Sequence, residues 1–408
     1  MAQLPSGDPA PSDGLLPSDA VFDAAKTFHA YVHVPFCRVR CGYCDFNTYT
    51  ATELRGVSQS SFAQHLIAEI QFSVSVLEAS GAPQRPLTSV FFGGGTPTQL
   101  PASDLVDILR ALQNSFGIQT DAEITTEANP DNVDAVYLDE LAAGGFTRVS
   151  FGMQSAAPAV LRVLDRTHEP ERLPLVVAWA KDAGLQTSVD LIYGSPTETV
   201  EQWRETIGAA LALNTDHISA YSLIVEEGTK MARQIASGVL PQPDEDEQAL
   251  KYEIADAAFT AAGLNWYELS NWAKTPELAS SHNLAYWRGN DWWGYGPGAH
   301  SHIGGVRWWN VKHPAPYVER IAAGSSPALA REVLDQQTRL DEAVLLEMRL
   351  RDGLAIEKLR QADAFDAAKV AGLIADGLVE PGPALRGQLV LTLKGRLLAD
   401  LVVSKLLA

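Results

Sequence analysis

Cysteine is nearly absent: the chain of 408 residues carries three, all between positions 37 and 44. An odd number confined to one short segment argues against a disulfide framework of the kind that staples small extracellular domains. Long apolar runs are missing as well. No stretch reaches the roughly 18 residues that a membrane helix needs, so no transmembrane segment is expected. The N-terminus lacks a basic start followed by an apolar stretch, so no secretory signal is read. Basic residues are scarce, 31 Lys and Arg against 50 Asp and Glu, giving a formal net charge of −19. That balance argues against nucleic acid as the main partner, because phosphate contacts need clustered Lys and Arg. A cytoplasmic protein follows from these absences.

What is present is a well-packed globular composition, 46% hydrophobic and 20% charged, in a chain long enough for two domains. Residues 1–27, rich in Pro, Ser, Gly and Asp at their start, read as a disordered leader. From residue 28 a unit recurs about every 30 residues: a short β-branched or aromatic run, a loop, then an amphipathic stretch. Strands are predicted at 28–35, 89–92, 122–127, 148–154, 187–193 and 217–223, with helices at 62–77, 103–114, 133–143, 171–183 and 200–213. Strand alternating with helix implies a parallel sheet. Six units make the fold an α/β partial (β/α)6 barrel over residues 28–225. The Cys37–Cys44 segment, the Gly-rich run from Gly93, and Glu127, Gln154 and Asp190 all fall at strand ends. Loops at those ends build barrel active sites. Residues 226–330 read as connector and barrel extension, with a helix at 245–262, a strand at 265–269, and loops rich in Trp, Gly, His and Asn over 271–310. Residues 331–408 read as a mainly helical, winged-helix-like domain: helices at 341–351, 356–361 and 367–376, a strand-like run at 389–393 and a helix at 394–407. A turn is expected at Arg351-Asp352-Gly353. The helices of this domain are too poor in Lys and Arg to make a phosphate-binding face.

Cys37-Arg-Val-Arg-Cys41-Gly-Tyr-Cys44 supplies three thiols from one loop. Iron–sulfur cubanes commonly take four thiolates. Three would leave one iron open to an outside ligand, and the amine and carboxylate of S-adenosylmethionine can chelate it. The competing reading is a zinc site of three Cys and one His, with His33 as the fourth ligand.

The CxxxCxxC spacing, with Tyr43 before the third Cys, resembles the radical S-adenosylmethionine superfamily. The flanking Tyr31-Val-His-Val-Pro-Phe and Asp45-Phe-Asn are similar to its coproporphyrinogen dehydrogenase-like branch, from about residue 30 to the C-terminus. The resemblance implies one 4Fe–4S cluster on Cys37, Cys41 and Cys44, with its fourth iron exchangeable with S-adenosylmethionine. It implies cofactor contacts from Gly94, Gly95 and Thr96 of Gly-Gly-Gly-Thr-Pro, and from Glu127, Gln154, Arg166 and Asp190. Tyr31 and Tyr43 would pack near the cofactor. Phe46 stands where the porphyrinogen-oxidising enzymes carry a further Cys. His282-Asn283-Leu-Ala-Tyr286-Trp287 matches the HNxxYW signature of the branch's heme chaperones. The resemblance therefore implies a heme chaperone, with His282 on heme iron and Asn283, Tyr286 and Trp287 lining the heme pocket. For these four residues the alternative is a loop fixed by hydrogen bonds, with the aromatics in a core. For the chain the alternative is an oxygen-independent coproporphyrinogen III dehydrogenase. Implied partners are heme, an acceptor protein and an electron donor for the cluster.

Overall fold

The computed structural model describes residues 6–50, 54 and 57–407. Its strands are β1 (Asp8–Pro9), β2 (Phe28–Val34), β3 (Leu87–Gly94), β4 (Ile118–Ala128), β5 (Arg148–Gln154), β6 (Gln186–Tyr193), β7 (His217–Ser222), β8 (Asn265–Glu268), β9 (Asn271–Ala273), β10 (Asp291–Tyr295), β11 (His300–Ile303), β12 (Val306–Asn310) and β13 (Ala328–Val333). They form one sheet in the order β1-β13-β12-β11-β10-β2-β3-β4-β5-β6-β7-β9-β8. β2 to β7 run parallel and in chain order, as a partial barrel requires. β10 joins β2 in parallel, and β9 joins β7 antiparallel.

Alternation along each strand divides apolar from polar side chains, since neighbours point to opposite faces. Ala30, Val32, Val34, Val90, Phe92, Val149, Phe151, Val189 and Leu191 are buried in the main core. The helices Phe62–Ala79, Ala102–Phe116, Ala135–Ala143, Arg172–Asp182 and Val200–Ala212 contribute to that core. The other face carries Thr125, Glu127, Ser150, Ser188, Asp190, His217 and Ser219, all lining a central cavity. Strand register sets Glu127 beside Ser150 and Asp190 beside Ser219.

Residues 271–310, read as loops, instead supply β9 to β12 and the helix Ser281–Trp287. Their strands are only three to five residues long, too short for alternation to show. The 226–330 connector also holds a helix ahead of the expected one, Lys230–Ala236. The leader differs too. Asp8 and Pro9 pair with Arg331 and Ala330 at the sheet edge, and Leu16 is buried. A segment too polar to build its own core is thus held by the edge of another; residues 1–5 of that reading lie outside the described residues.

The C-terminal part has a second core of Val344, Met348, Leu354, Leu373, Leu389 and Val402. A two-stranded sheet joins β14 (Leu354–Ala355) to β15 (Gln388–Leu389). Gly353 turns the chain into β14 with φ 71°, a conformation glycine reaches without Cβ strain. The expected last helix is two, Leu393–Leu397 and Ala399–Leu407.

Candidate cluster and cofactor site

Residues 35–49 leave β2 as a loop whose ends are pinned together. Cys37 N–H donates to Tyr49 O at 3.1 Å and Tyr49 N–H to Pro35 O at 2.7 Å. Two outside segments grip its middle: Gly42 N–H donates to Leu164 O at 3.3 Å, and Gly42 O accepts from Met231 N–H at 2.8 Å. The glycines after β3 lie against this loop. A Cβ on Gly95 would stand 2.7 Å from Phe36 O, and Gly94 has φ 110° with the His33 ring beside it. Gly95 N–H and Thr96 N–H donate to Val34 O and Phe36 O, both at 2.8 Å. The run Gly93–Gly95 is therefore needed for close backbone approach between two barrel-mouth loops.

Cys37, Cys41 and Cys44 are free thiols of intermediate exposure, and all three line one cavity of about 620 Å³. Thr96 Oγ1 lies 3.9 Å from Cys37 Sγ, and Arg166 Nη1 donates to Cys41 Sγ at 3.7 Å. Burial pushes the Cys37 thiol up, and the Cys44 thiol up to about 12; a bound metal's charge opposes such a shift by favouring the thiolate. Among the described residues, no three His, Cys, Asp or Glu side chains are drawn together as ligands of one ion. Thiolates of a cubane each hold a separate iron and need no such convergence. His33 is not poised as a zinc ligand, because Nδ1 meets Tyr31 OH at 3.1 Å and Nε2 meets Asn47 O at 2.9 Å.

Of the residues implied as cofactor contacts, Tyr43, Gly94, Gly95, Thr96, Glu127, Gln154, Arg166 and Asp190 line the same cavity. Tyr31 does not: its ring stacks on Phe91 at 6.4 Å behind the wall. Tyr43 packs with the mouth cluster of Val160, Leu164, Ile192 and Met231. Glu127 Oε2 accepts from Gly94 N–H at 3.2 Å. Burial, and after it the nearby Asp190, pushes the Glu127 carboxyl up to about 8. Burial likewise raises Asp190, whose Oδ2 accepts from Ser150 OH at 2.9 Å. Arg166 is aimed by Gly152 O and Asn129 Oδ1, accepting at 2.9 and 3.2 Å. Gln154 takes φ 61°, a left-handed backbone that a side chain adopts at a cost and that clusters at functional sites.

The cavity's chemistry fits a zwitterionic sulfonium nucleoside. Thr125 Oγ1, Asn132 Nδ2 and Arg166 Nε are buried without a hydrogen-bond partner, on residues that line the cavity. Such atoms are costly unless a ligand or water meets them. Hydroxyls, carboxyls and a guanidinium together match ribose hydroxyls, an ammonium and a carboxylate. Residue reading missed Thr125, Asn129, Asn132, Ser150, Ser188, His217 and Ser219, although the polar phase of strand alternation marks the inner-face members.

The HNxxYW residues do not gather at the mouth. Helix Ser281–Trp287 lies in the connection from β9, at one edge of the six-stranded arc, to β10 at the other, and is stitched to the inner face. Glu123 Oε1 and Oε2 accept from Ser280 OH at 3.2 Å and Ser281 N–H at 2.9 Å, while Arg148 pairs with Glu123 at 3.0 Å. Arg148 also donates to Leu278 O at 2.8 Å. His282, implied as an axial ligand, is buried with both ring nitrogens engaged: Nδ1 with Ser89 Oγ and Nε2 with Tyr286 OH, each at 2.8 Å. Its ring stacks on Phe91 at 5.2 Å. Tyr286 meets Trp292 edge-on at 4.6 Å, and Trp287 ends the helix. Only Asn283 of the four lines the cavity. The motif forms the floor of the barrel, with His282 held between Ser89 and Tyr286.

The Radical SAM superfamily matches residues 31–210. The heme chaperone HemW of Mycobacterium tuberculosis is 44% identical over 384 residues, 94% of this chain and 95% of its own length. HemW of Bacillus subtilis is 31% identical over 378 residues, 91% of this chain and 97% of its own. The solved structure of coproporphyrinogen III oxidase (HemN) from Escherichia coli, a radical SAM enzyme, superposes with a TM-score of 0.79 at 24% identity, covering 97% of this chain and 94% of that one, and shares the fold. The chain belongs to the HemW family of the radical S-adenosylmethionine superfamily, and that membership implies a 4Fe–4S cluster and S-adenosylmethionine.

Proposed function

We propose that this protein is a heme chaperone: it holds a 4Fe–4S cluster on Cys37, Cys41 and Cys44, keeps S-adenosylmethionine in the adjoining cavity, and takes up heme for delivery to an acceptor protein. The observation that carries the reading is the meeting of three free thiols with orphaned polar groups in one cavity at the barrel mouth. The names of the relatives supply heme. When bound, the cluster supplies one electron and the cofactor a sulfonium able to accept it. The chain's residues hold and orient. Gly94, Gly95 and Thr96 bring backbone groups to the cofactor's amino-acid end, and Arg166 offers a cation to its carboxylate. Glu127 and Asp190 offer acceptors to the ammonium or the ribose diol, and Gln154 closes the wall between them. Tyr43 lends an apolar surface beside the cluster loop. An electron donor is required as a further partner.

Anaerobic reconstitution followed by heme titration tests the reading. Stoichiometric heme uptake, and transfer to an apo-acceptor protein, are expected. Repeated turnover of coproporphyrinogen III to protoporphyrinogen IX would overturn it in favour of a radical enzyme.

A further inference from the structure

Gly42, between the second and third cysteines, is where distant parts of the chain take hold of the cluster loop. Its N–H and C=O are bonded to Leu164 and Met231, two fully buried residues that pack in one cluster with Tyr43. The residues next to them close a ring: Lys230 Nζ donates to Asp165 Oδ1 and Oδ2 at 2.9 and 2.8 Å. Gly42, Leu164–Asp165 and Lys230–Met231 thus form a bracket of three segments far apart in the sequence. The fit is close, since a Cβ on Gly42 would stand 2.5 Å from Asp165 Oδ2. Asp165 takes φ 54°, a left-handed backbone that a side chain holds at a cost and that Asp tolerates better than most.

The residue after Asp165 is Arg166. Its Nη2 is fixed to the barrel by Gly152 O and Asn129 Oδ1, its Nη1 donates to Cys41 Sγ at 3.7 Å, and its Nε is left for the cofactor. Cys41 and Gly42 therefore lie along Leu164, Asp165 and Arg166. We infer that Asp165 and Lys230 are positioning residues of the cluster site: their ion pair closes the bracket around Gly42, which holds the Cys41 sulfur against the Arg166 guanidinium, and so sets both how firmly the cluster is kept and how readily it is reduced. The inference rests on the reading that the three cysteines hold a 4Fe–4S cluster. A hydrogen bond from a cation to a ligating sulfur favours the reduced, more negative cluster and raises its potential. Both residues act through Gly42 and Arg166 rather than on the cluster itself. Lys230 is exposed and Asp165 half-buried, so their pairing is modest and screened by salt.

The test uses the full-length, anaerobically reconstituted protein with Asp165→Asn, Lys230→Gln and the two together; Asn keeps the left-handed backbone within reach. Two quantities are measured: the rate of iron release to a chelator without oxygen, and the cluster's midpoint potential without S-adenosylmethionine. Each single variant should release iron about two- to fivefold faster than wild type at low salt, with a more negative potential and unchanged circular dichroism. The double variant should match the singles, because the second change removes a pair already broken. High salt should shrink the gap between wild type and variants. Single variants with wild-type release, faster release at an unchanged potential, or a double variant in which the two effects multiply would each overturn the bracket. Wild type that assembles no iron and acid-labile sulfide would overturn the cluster reading itself.

Discussion

Glu127 is where pH acts most directly on this barrel. Its carboxyl is raised from 4.5 to about 8, first by burial and then by Asp190. In that window the folded state holds a proton that the unfolded chain has lost. Stability from this group is therefore full below about 4.5, falls as pH rises toward about 8, and is level above. Glu127→Gln should remove this component, so urea midpoints of wild type and variant should diverge between pH 5 and pH 8.5, with wild type losing more. Parallel curves would show that Glu127 is already ionised at low pH. Residues such as Glu127 and Asp190 were legible in sequence because a family signature surrounds them. Ser150, Ser188 and Ser219 were not, because a serine in a strand has no local signature and gains meaning only when register sets neighbouring strands side by side. His282 is ambiguous in sequence for a related reason: a histidine beside aromatics looks the same whether it faces a ligand or a core.

At the level of elements, the floor helix Ser281–Trp287 should owe its place to Glu123. That carboxylate caps the helix start and pairs with Arg148, with both side chains almost fully buried. Glu123→Ala strands the Arg148 charge and should cost roughly 3–5 kcal/mol, measured by chemical unfolding at constant m. Ser280→Ala, which removes the hydroxyl that accepts from Asn283 N–H, should cost about 1 kcal/mol. A loss below about 1 kcal/mol for Glu123→Ala would mean that the floor is held from elsewhere. The six βα units were legible because each strand is six residues or longer and each helix presents an apolar stripe. The segment 271–310 was not, since its short strands join glycine-bearing turns such as Gly296 and Gly304, both at positive φ.

Across the whole molecule, the C-terminal core is tied to the barrel extension by the Arg288–Asp352 and Arg307–Glu342 pairs, by Arg351 N–H donating to Tyr267 O, and by Arg396. It forms a bidentate pair with Asp256 at 2.8 and 2.7 Å and lies over the Trp266 ring at 4.4 Å. Arg396→Met should cost roughly 3–5 kcal/mol by leaving Asp256 partly buried and unpaired, and limited proteolysis should then cut between residues 330 and 345 faster than in wild type. Equal cleavage rates would show that the two cores dock through other contacts. The helical character of this part was legible from periodicity, but its docking was not, because Asp256 and Arg396 lie far apart in the chain and carry no shared pattern.

The central claim concerns what the three cysteines hold. Anaerobically purified and reconstituted protein should contain about four irons and four acid-labile sulfides per chain. Replacing Cys37, Cys41 and Cys44 by serine should abolish both while the fold remains. Zinc in place of iron, or iron without sulfide, would contradict the account.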